Sequence, residues 1–258
     1  VSHSLDIAPV QPVRTPAWDV EGVPAPRELL GIVGGLGPLA SAEFLKTIYE
    51  ENPFELEQEG PACILLSYPN VPDRTQAILR GEETAVVRWL EGVMSRLRSL
   101  GAQRIVIACV TMHHFLGYVS PALRELTVSL VDMVLDEVIA SGKRWLILSS
   151  QGTRTARVFE RNERWRVAEP HLHWTTPEEQ AELHEVIYRL KKHGDATEAT
   201  ALCERLVRTH DVDGFIAGCT ELHLVTRQLR TLPPDERVRS IDPLFLVANR
   251  MPGRRQPA

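Results

Sequence analysis

Apolar residues fall along this chain in two alternating patterns. Short continuous runs occur at Leu29-Leu-Gly-Ile-Val-Gly34, Ala62-Cys-Ile-Leu-Leu-Ser67, Ile105–Ala108, Trp145–Leu148 and Gly214-Phe-Ile-Ala217. Continuous runs of this kind suit parallel strands buried on both faces. Between them, apolar positions recur at helical spacing. Pro38 suits a first helical turn, and Ala40, Phe44, Leu45 and Ile48 follow it on one face. Glu82 to Leu100 carries Val86, Leu90, Val93, Leu97 and Leu100 on one stripe, with Gly101 as the stop. Further helices are predicted over 131–140, 156–162, 177–192, 196–209 and 221–229, with a last one starting at Pro243 and a short one at 121–126. Short strands are predicted at 127–130, 164–168 and 238–241, and Tyr68 to Thr75 is too rich in proline to be regular.

Strands alternating with helices imply βαβ units, and hence an α/β fold built on parallel sheets. Handedness places every strand's carboxyl end on one side, where such folds bind ligands. Gly34, Ser67, Cys109, Gln151, Cys219 and Asp242 all lie just past such ends. Two of these ends look alike. Arg104-Ile-Val-Ile-Ala-Cys-Val-Thr-Met-His-His-Phe115 is an apolar strand that stops on Cys109, with Thr111 close behind. Gly214-Phe-Ile-Ala-Gly-Cys-Thr-Glu-Leu-His223 repeats the arrangement around Cys219 and Thr220. The repetition suggests one site shared by two similar halves.

Composition narrows the function classes. With 258 residues, 43% hydrophobic and 24% charged, the chain is ordinary globular protein with room for two cores. A net charge of −5 gives no basic field, so neither nucleic acid nor an anionic membrane is an expected partner. No apolar run approaches the roughly 20 residues needed to span a bilayer. Residues 1–27 hold Pro9, Pro12, Pro16, Pro24 and Pro26 without the apolar core of a secretory signal, and read as an irregular extension. The four cysteines are expected to be free thiols, and the expected location is the cytoplasm. No C-x-x-C pair or zinc-like spacing supports a metal site.

Gly35-Leu-Gly-Pro-Leu-Ala40 matches the G-x-G-x-x-A form of a dinucleotide fingerprint. The second strand, however, ends in Ser67-Tyr-Pro, with no acidic residue for a ribose hydroxyl. Bare backbone N–H groups at a helix start would still suit a small anion such as a carboxylate. Cys109 and Cys219 read either as small apolar residues at sheet ends or as reactive thiols whose ionisation a helix N-terminus favours. Cys63 and Cys203 lack that context and are assigned to packing. Arg74 offers a two-pronged donor for a substrate carboxylate. His113, His114 and His223 could serve as acid–base groups or as packing residues.

Together these segments resemble the aspartate/glutamate racemase superfamily, in particular its aspartate racemase branch, over about Leu30 to Ala248. The resemblance rests on Gly34-Gly-Leu-Gly-Pro-Leu-Ala-Ser41, Pro72-Asp-Arg-Thr75, Cys109-x-Thr111-x-His113, Gly152-Thr153, Gly218-Cys-Thr-Glu221 and Ile241-Asp-Pro243. It implies two similar α/β domains with the active site in the cleft between them. Here these would be residues 28–126, completed by 241–258, and residues 127–240, with 1–27 outside both. It also implies a homodimer, and racemisation of a carboxylate substrate without pyridoxal phosphate or metal. One cysteine would remove the α-proton and the other deliver a proton from the opposite face. By resemblance, Arg74 and Lys192 would hold carboxylates, and Thr111 and Thr220 would hydrogen-bond within the site. The amides around Gly35, Gly152 and Thr153 would steady the substrate, and Glu221 belongs to the motif of the second cysteine.

Three positions depart from the family pattern. Val110 and Tyr68 stand where asparagines are usual, and Ala156 stands at a hydroxyl position. Each lost polar contact around a buried charged ligand should weaken it by about 1–3 kcal/mol. Two readings therefore stand beside a non-catalytic binding protein. One is a cofactor-independent amino-acid racemase or epimerase. The other is a relative repurposed as an isomerase, lyase, cyclase or decarboxylase for a bulkier, less polar acid.

Overall fold

The computed structural model describes residues 28–251; the N-terminal extension and the polar tail from Pro252 lie outside them. The first half runs β1 (Leu29–Gly34), α1 (Pro38–Glu51), β2 (Ala62–Ser67), α2 (Arg74–Arg80), α3 (Thr84–Ser99) and β3 (Arg104–Ile107). A 3-10 segment at Thr111–Tyr118, α4 (Pro121–Arg124) and β4 (Thr127–Val128) complete it. The second half runs α5 (Leu130–Ser141), β5 (Trp145–Leu148), α6 (Gln151–Thr155), α7 (Trp165–Ala168) and β6 (Leu172–Trp174). It continues with α8 (Pro177–His193), α9 (Thr197–Thr209), β7 (Gly214–Ala217), α10 (His223–Leu229), β8 (Arg239–Ile241) and α11 (Pro243–Asn249).

All pairings are parallel, and the two four-stranded sheets have the orders β2-β1-β3-β4 and β6-β5-β7-β8. The halves therefore repeat one topology. Cys109 follows β3 and Cys219 follows β7, each two residues beyond the third strand of its sheet in that order. The repeated strand–Cys–Thr pattern is thus a repeat in space.

Each sheet has an outer apolar cluster, and a third joins them. Ile105, Ile107 and Cys109 belong to the outer cluster of the first half. Phe215, Ala217 and Cys219 belong to that of the second. The joining cluster draws Ile32, Phe44 and Val106 from one half and Trp145, Ile147 and Ile216 from the other. Val106 on β3, and Ala108 and Val110 in the turn that follows it, all pack into this shared core.

Several local expectations shift. Residues 164–168, expected as a strand, are helical through α7, and the strand comes later as β6. The helix expected over 156–162 lies earlier, as α6, where Ser150 caps it by accepting from the Thr153 amide. Turns follow, and Arg157 takes φ 53°. The proline-rich loop ends in α2, capped by Asp73, and caps of this kind are worth about 1 kcal/mol. Thr127–Val128 pairs with β3, so the first sheet runs past the break expected after residue 126. α11 packs on both α1 and α5 and so touches each half.

Candidate active site

The carboxyl ends of both sheets meet around the two cysteines. Thr220 Oγ1 donates to the Ala108 carbonyl at 2.9 Å, binding the turn after Cys219 to the end of β3. Cys109 and Cys219 are both almost fully buried and share one charged neighbourhood, since Lys191 lies close enough to feel both thiols. Cys219 Sγ donates to Glu221 Oε2 at 2.7 Å. Burial, reinforced by the Glu221 carboxylate, pushes the Cys219 thiol well above its usual range. This reverses the expectation that a helix start would ease its ionisation: a short 3-10 turn follows Cys219, and a carboxylate stands beside it.

Glu221 is itself only 2% exposed. Among the described residues its Oε1 has no hydrogen-bond partner, and it lies 3.7 Å from Lys191 Nζ. It points at Gly37, where a Cβ would collide with it. Burial works against the Lys191 charge, but Glu221 and Cys219 outweigh it and hold the ammonium above the usual lysine range. Arg74, at the first turn of α2, donates from Nη2 to the Leu36 carbonyl at 2.9 Å. Burial opposes its charge too, and the neighbouring Cys109 and Glu221 hold it. Two cations and two thiols thus converge around one carboxylate.

Lys191, one residue before the expected Lys192, is the lysine of α8 that reaches Glu221 and the thiols. Successive side chains on α8 are about 100° apart, and Lys192 falls on the exposed face. His184, Tyr188 and Lys191 lie at spacings of four and three residues, one stripe beside the buried Leu183, Ile187 and Leu190. Along it the His184 and Tyr188 rings are 4.5 Å apart, and Lys191 Nζ stands 4.7 Å from the Tyr188 ring. Tyr188 also donates to Asp73 Oδ2 at 2.8 Å, linking α8 to the residue before Arg74. Neither Lys191 nor Tyr188 was among the expected site residues, although that polar stripe is legible in the sequence.

Thr111, Ser150 and Thr153 form a closed triangle of hydroxyls, at 2.8 to 3.2 Å, across the two halves. Gly152 is buried in α6, which packs on α2. Gly35 is needed as glycine: its φ is +79°, and a Cβ would stand 2.5 Å from the Tyr68 nitrogen. Its N–H is not bare, because Ser41 Oγ accepts it at 3.2 Å.

Two of the departures from the family pattern point elsewhere. Val110 and Ala156 pack into the shared core rather than into the polar group around Cys109. Tyr68 is half exposed, and its ring stacks on Trp89 at 6.3 Å, turned away over the outer face of β2 and α3. The histidines are also engaged. His113 Nε2 accepts from the Leu130 amide at 3.0 Å, so its proton sits on Nδ1, directed at the Cys109 carbonyl at 3.2 Å. Its burial disfavours the charged form. His114 bridges Glu83 and Arg161, and His223 lies between Asp242 and Thr47. Of the remaining cysteines, Cys203 lies in the second core, and Cys63 is pushed by burial to about 11.

The family model for Asp/Glu/Hydantoin racemase matches residues 33–250. The chain belongs to this family. It is thus an isomerase of the racemase and epimerase kind. Solved structures of the same architecture include Picrophilus torridus aspartate racemase, 22% identical, with TM-score 0.71 over 86% of this chain and 92% of that one. An aspartate racemase homologue from Pyrococcus horikoshii is also 22% identical, with TM-score 0.60 over 86% and 96%. Allantoin racemase from Klebsiella pneumoniae is 16% identical, with TM-score 0.52 over 86% and 84%. At these identities the likeness is one of fold. The chain likewise has two parallel four-stranded sheets flanked by helices, and Cys109, Cys219, Arg74, Lys191 and Glu221 come together between their carboxyl ends.

Proposed function

We propose that the protein is a cofactor-independent racemase or epimerase that inverts the carbon next to a carboxylate, using Cys109 and Cys219 as its two acid–base groups. The observation that carries this reading is the pair of buried thiols at equivalent strand ends, joined across the halves by the Thr220–Ala108 hydrogen bond. Inverting a stereocentre needs a base on one face and an acid on the other, and two pseudo-symmetric thiols supply both.

In one direction the Cys109 thiolate takes the α-proton. The S–H bond forms as the C–H bond breaks, and its electron pair is left on the carbon and its carboxylate. The Cys219 S–H then gives its proton to the opposite face and becomes the thiolate. The reverse reaction exchanges the roles. One feature supports this starting assignment: burial, reinforced by Glu221, keeps Cys219 protonated. Arg74 and Lys191 are the cations available to a substrate carboxylate and to the charge that builds on it as the proton leaves.

Proton transfer contributes typically about 10²–10⁴-fold to catalysis, so removing either thiol should be severe. Cys109→Ser and Cys219→Ser should each abolish interconversion across a panel of L- and D-amino acids, as followed by chiral chromatography. Full activity in either variant would remove the two-thiol scheme. The substrate reading stays broad, an amino acid or related carboxylic acid, because named relatives act on aspartate, glutamate and allantoin.

A second reading, a repurposed enzyme for a bulkier and less polar acid, loses the support that Val110 and Ala156 gave it in sequence, because both pack into the shared core away from the cysteines. Turnover confined to aryl-substituted or unsaturated acids would favour it.

A further inference from the structure

A second pocket, of about 350 Å³, lies along β8 between the end of α5, the end of α10 and α11. That volume is at the lower end of the ~300–1,000 Å³ typical of small-molecule sites. None of Arg74, Cys109, Lys191, Cys219 or Glu221 lines it. Four cationic side chains do: Lys143, Arg230, Arg237 and Arg239. Arg230 is already engaged, paired with Glu51 at 2.9 Å and laid over the Phe245 ring at 4.0 Å. Lys143, Arg237 and Arg239 have no side-chain hydrogen bond or ion pair among the described residues.

The lining holds two carboxylates. Asp242 is committed to His223, Thr226 and the Leu244 amide. Glu137 alone is left to face three unpaired cations, in a chain whose net charge is −5. The lining also has an apolar part, formed by Trp145, Leu229, Val238 and Phe245.

We propose that this pocket is a second ligand site, separate from the cysteine cleft, that takes a small organic phosphate. The phosphate meets Lys143, Arg237 and Arg239, and the carbon part lies against Trp145 and Val238. A phosphate monoester carries about −1.5 to −2 charges at neutral pH and three strong acceptor oxygens. It offsets the like-charge crowding that Glu137 leaves uncompensated, and its oxygens match the guanidinium donor geometry.

Titration calorimetry of the full chain with phenyl phosphate at low ionic strength tests this. Saturable one-to-one binding is expected, weakened at least about tenfold in the Arg237→Ala/Arg239→Ala double variant. Arg239 is exposed and Arg237 partly so, and thermal melts check that the variant is folded. Glu137→Gln should tighten binding by removing the opposing carboxylate, and Arg74→Met should leave it unchanged. Phenol and inorganic phosphate should each bind more weakly than phenyl phosphate. The proposal is overturned by absent saturation, by binding indifferent to the two arginines, or by equal binding of phenol or of inorganic phosphate. Loss of binding in Arg74→Met also overturns it, because that would put the ligand in the cysteine cleft.

Discussion

Thr220 Oγ1 hydrogen-bonds the Ala108 carbonyl at 2.9 Å, so the residue after Cys219 is tied to the residue before Cys109. Both groups are buried, and the bond crosses from one sheet to the other. It fixes how far apart the two strand ends can drift. Thr220→Val keeps the shape and leaves the carbonyl without this donor. The expected loss is about 1–3 kcal/mol of stability and at least about tenfold in kcat, since misplaced acid–base groups are costly. Thr220→Ser should recover most of both. Denaturant melts and steady-state rates on the three proteins check this.

The phase of α8 gives a sharper contrast. Lys191→Met removes the cation 3.7 Å from Glu221 and leaves that buried carboxylate beside Cys219 without it. Breaking a buried pair by removing one partner costs about 3–5 kcal/mol of stability, and losing a cation available to the charge that builds on the substrate should lower kcat/KM about 100-fold or more. Lys192→Met, on the exposed face, should leave kcat/KM within about twofold. Equal effects of the two variants would contradict the placement of Lys191.

This one-residue difference shows where the sequence stopped being legible. The alternation of strand and helix, the parallel sheets and the two strand–Cys–Thr ends are local patterns, and they appear in the fold where the apolar runs put them. Lys191 against Lys192 is a question of helix phase, decided by how Leu183, Ile187 and Leu190 seat α8 on its sheet. Tyr188 and Asp73, 115 residues apart, meet only through tertiary packing. The stretch from Trp165 to Trp174 was misread because its helical turn and its strand are only four and three residues long, too short to show a period. Val110 reads in sequence as a neighbour of Cys109, yet the turn into the 3-10 segment sends it to the joining core while Cys109 stays in the outer one.

Glu221 sets the chemistry of Cys219. Burial first, and the carboxylate second, keep this thiol protonated above its normal range. In the wild type, iodoacetamide labelling of Cys219, mapped by peptide mass spectrometry, should therefore rise only at pH clearly above the roughly 8.5 of a free thiol. Glu221→Gln removes the like charge and should move that rise to lower pH. An unmoved labelling profile would show that the carboxylate has no influence on the thiol.

Acid stability has a separate source. Burial opposes the charge on Asp242, but His223, Thr226 and the Leu244 amide prevail and hold its carboxyl below the usual range. A carboxyl lowered on folding adds stability that is present above its unfolded value, about 3.9. That stability is lost as pH falls through the lower folded value. Asp242→Asn should therefore be less stable than the wild type at pH 6, with the gap closing as pH falls below about 4. Thermal melts between pH 3 and 6, on the order of one per half unit, resolve the two curves. A gap that stayed constant with pH would assign the loss to packing alone.

The central claim is that two thiols exchange a proton across one carbon. Turnover of a single pure enantiomer in D2O, followed by mass spectrometry and chiral separation at low conversion, tests it most directly. The account predicts that the newly formed opposite enantiomer carries one deuterium at the α-carbon, delivered by the solvent-exchanged Cys219 thiol or, in the other direction, by Cys109. Recovered starting enantiomer should stay largely unlabelled. Product of inverted configuration that retains its original hydrogen would contradict the two-thiol mechanism.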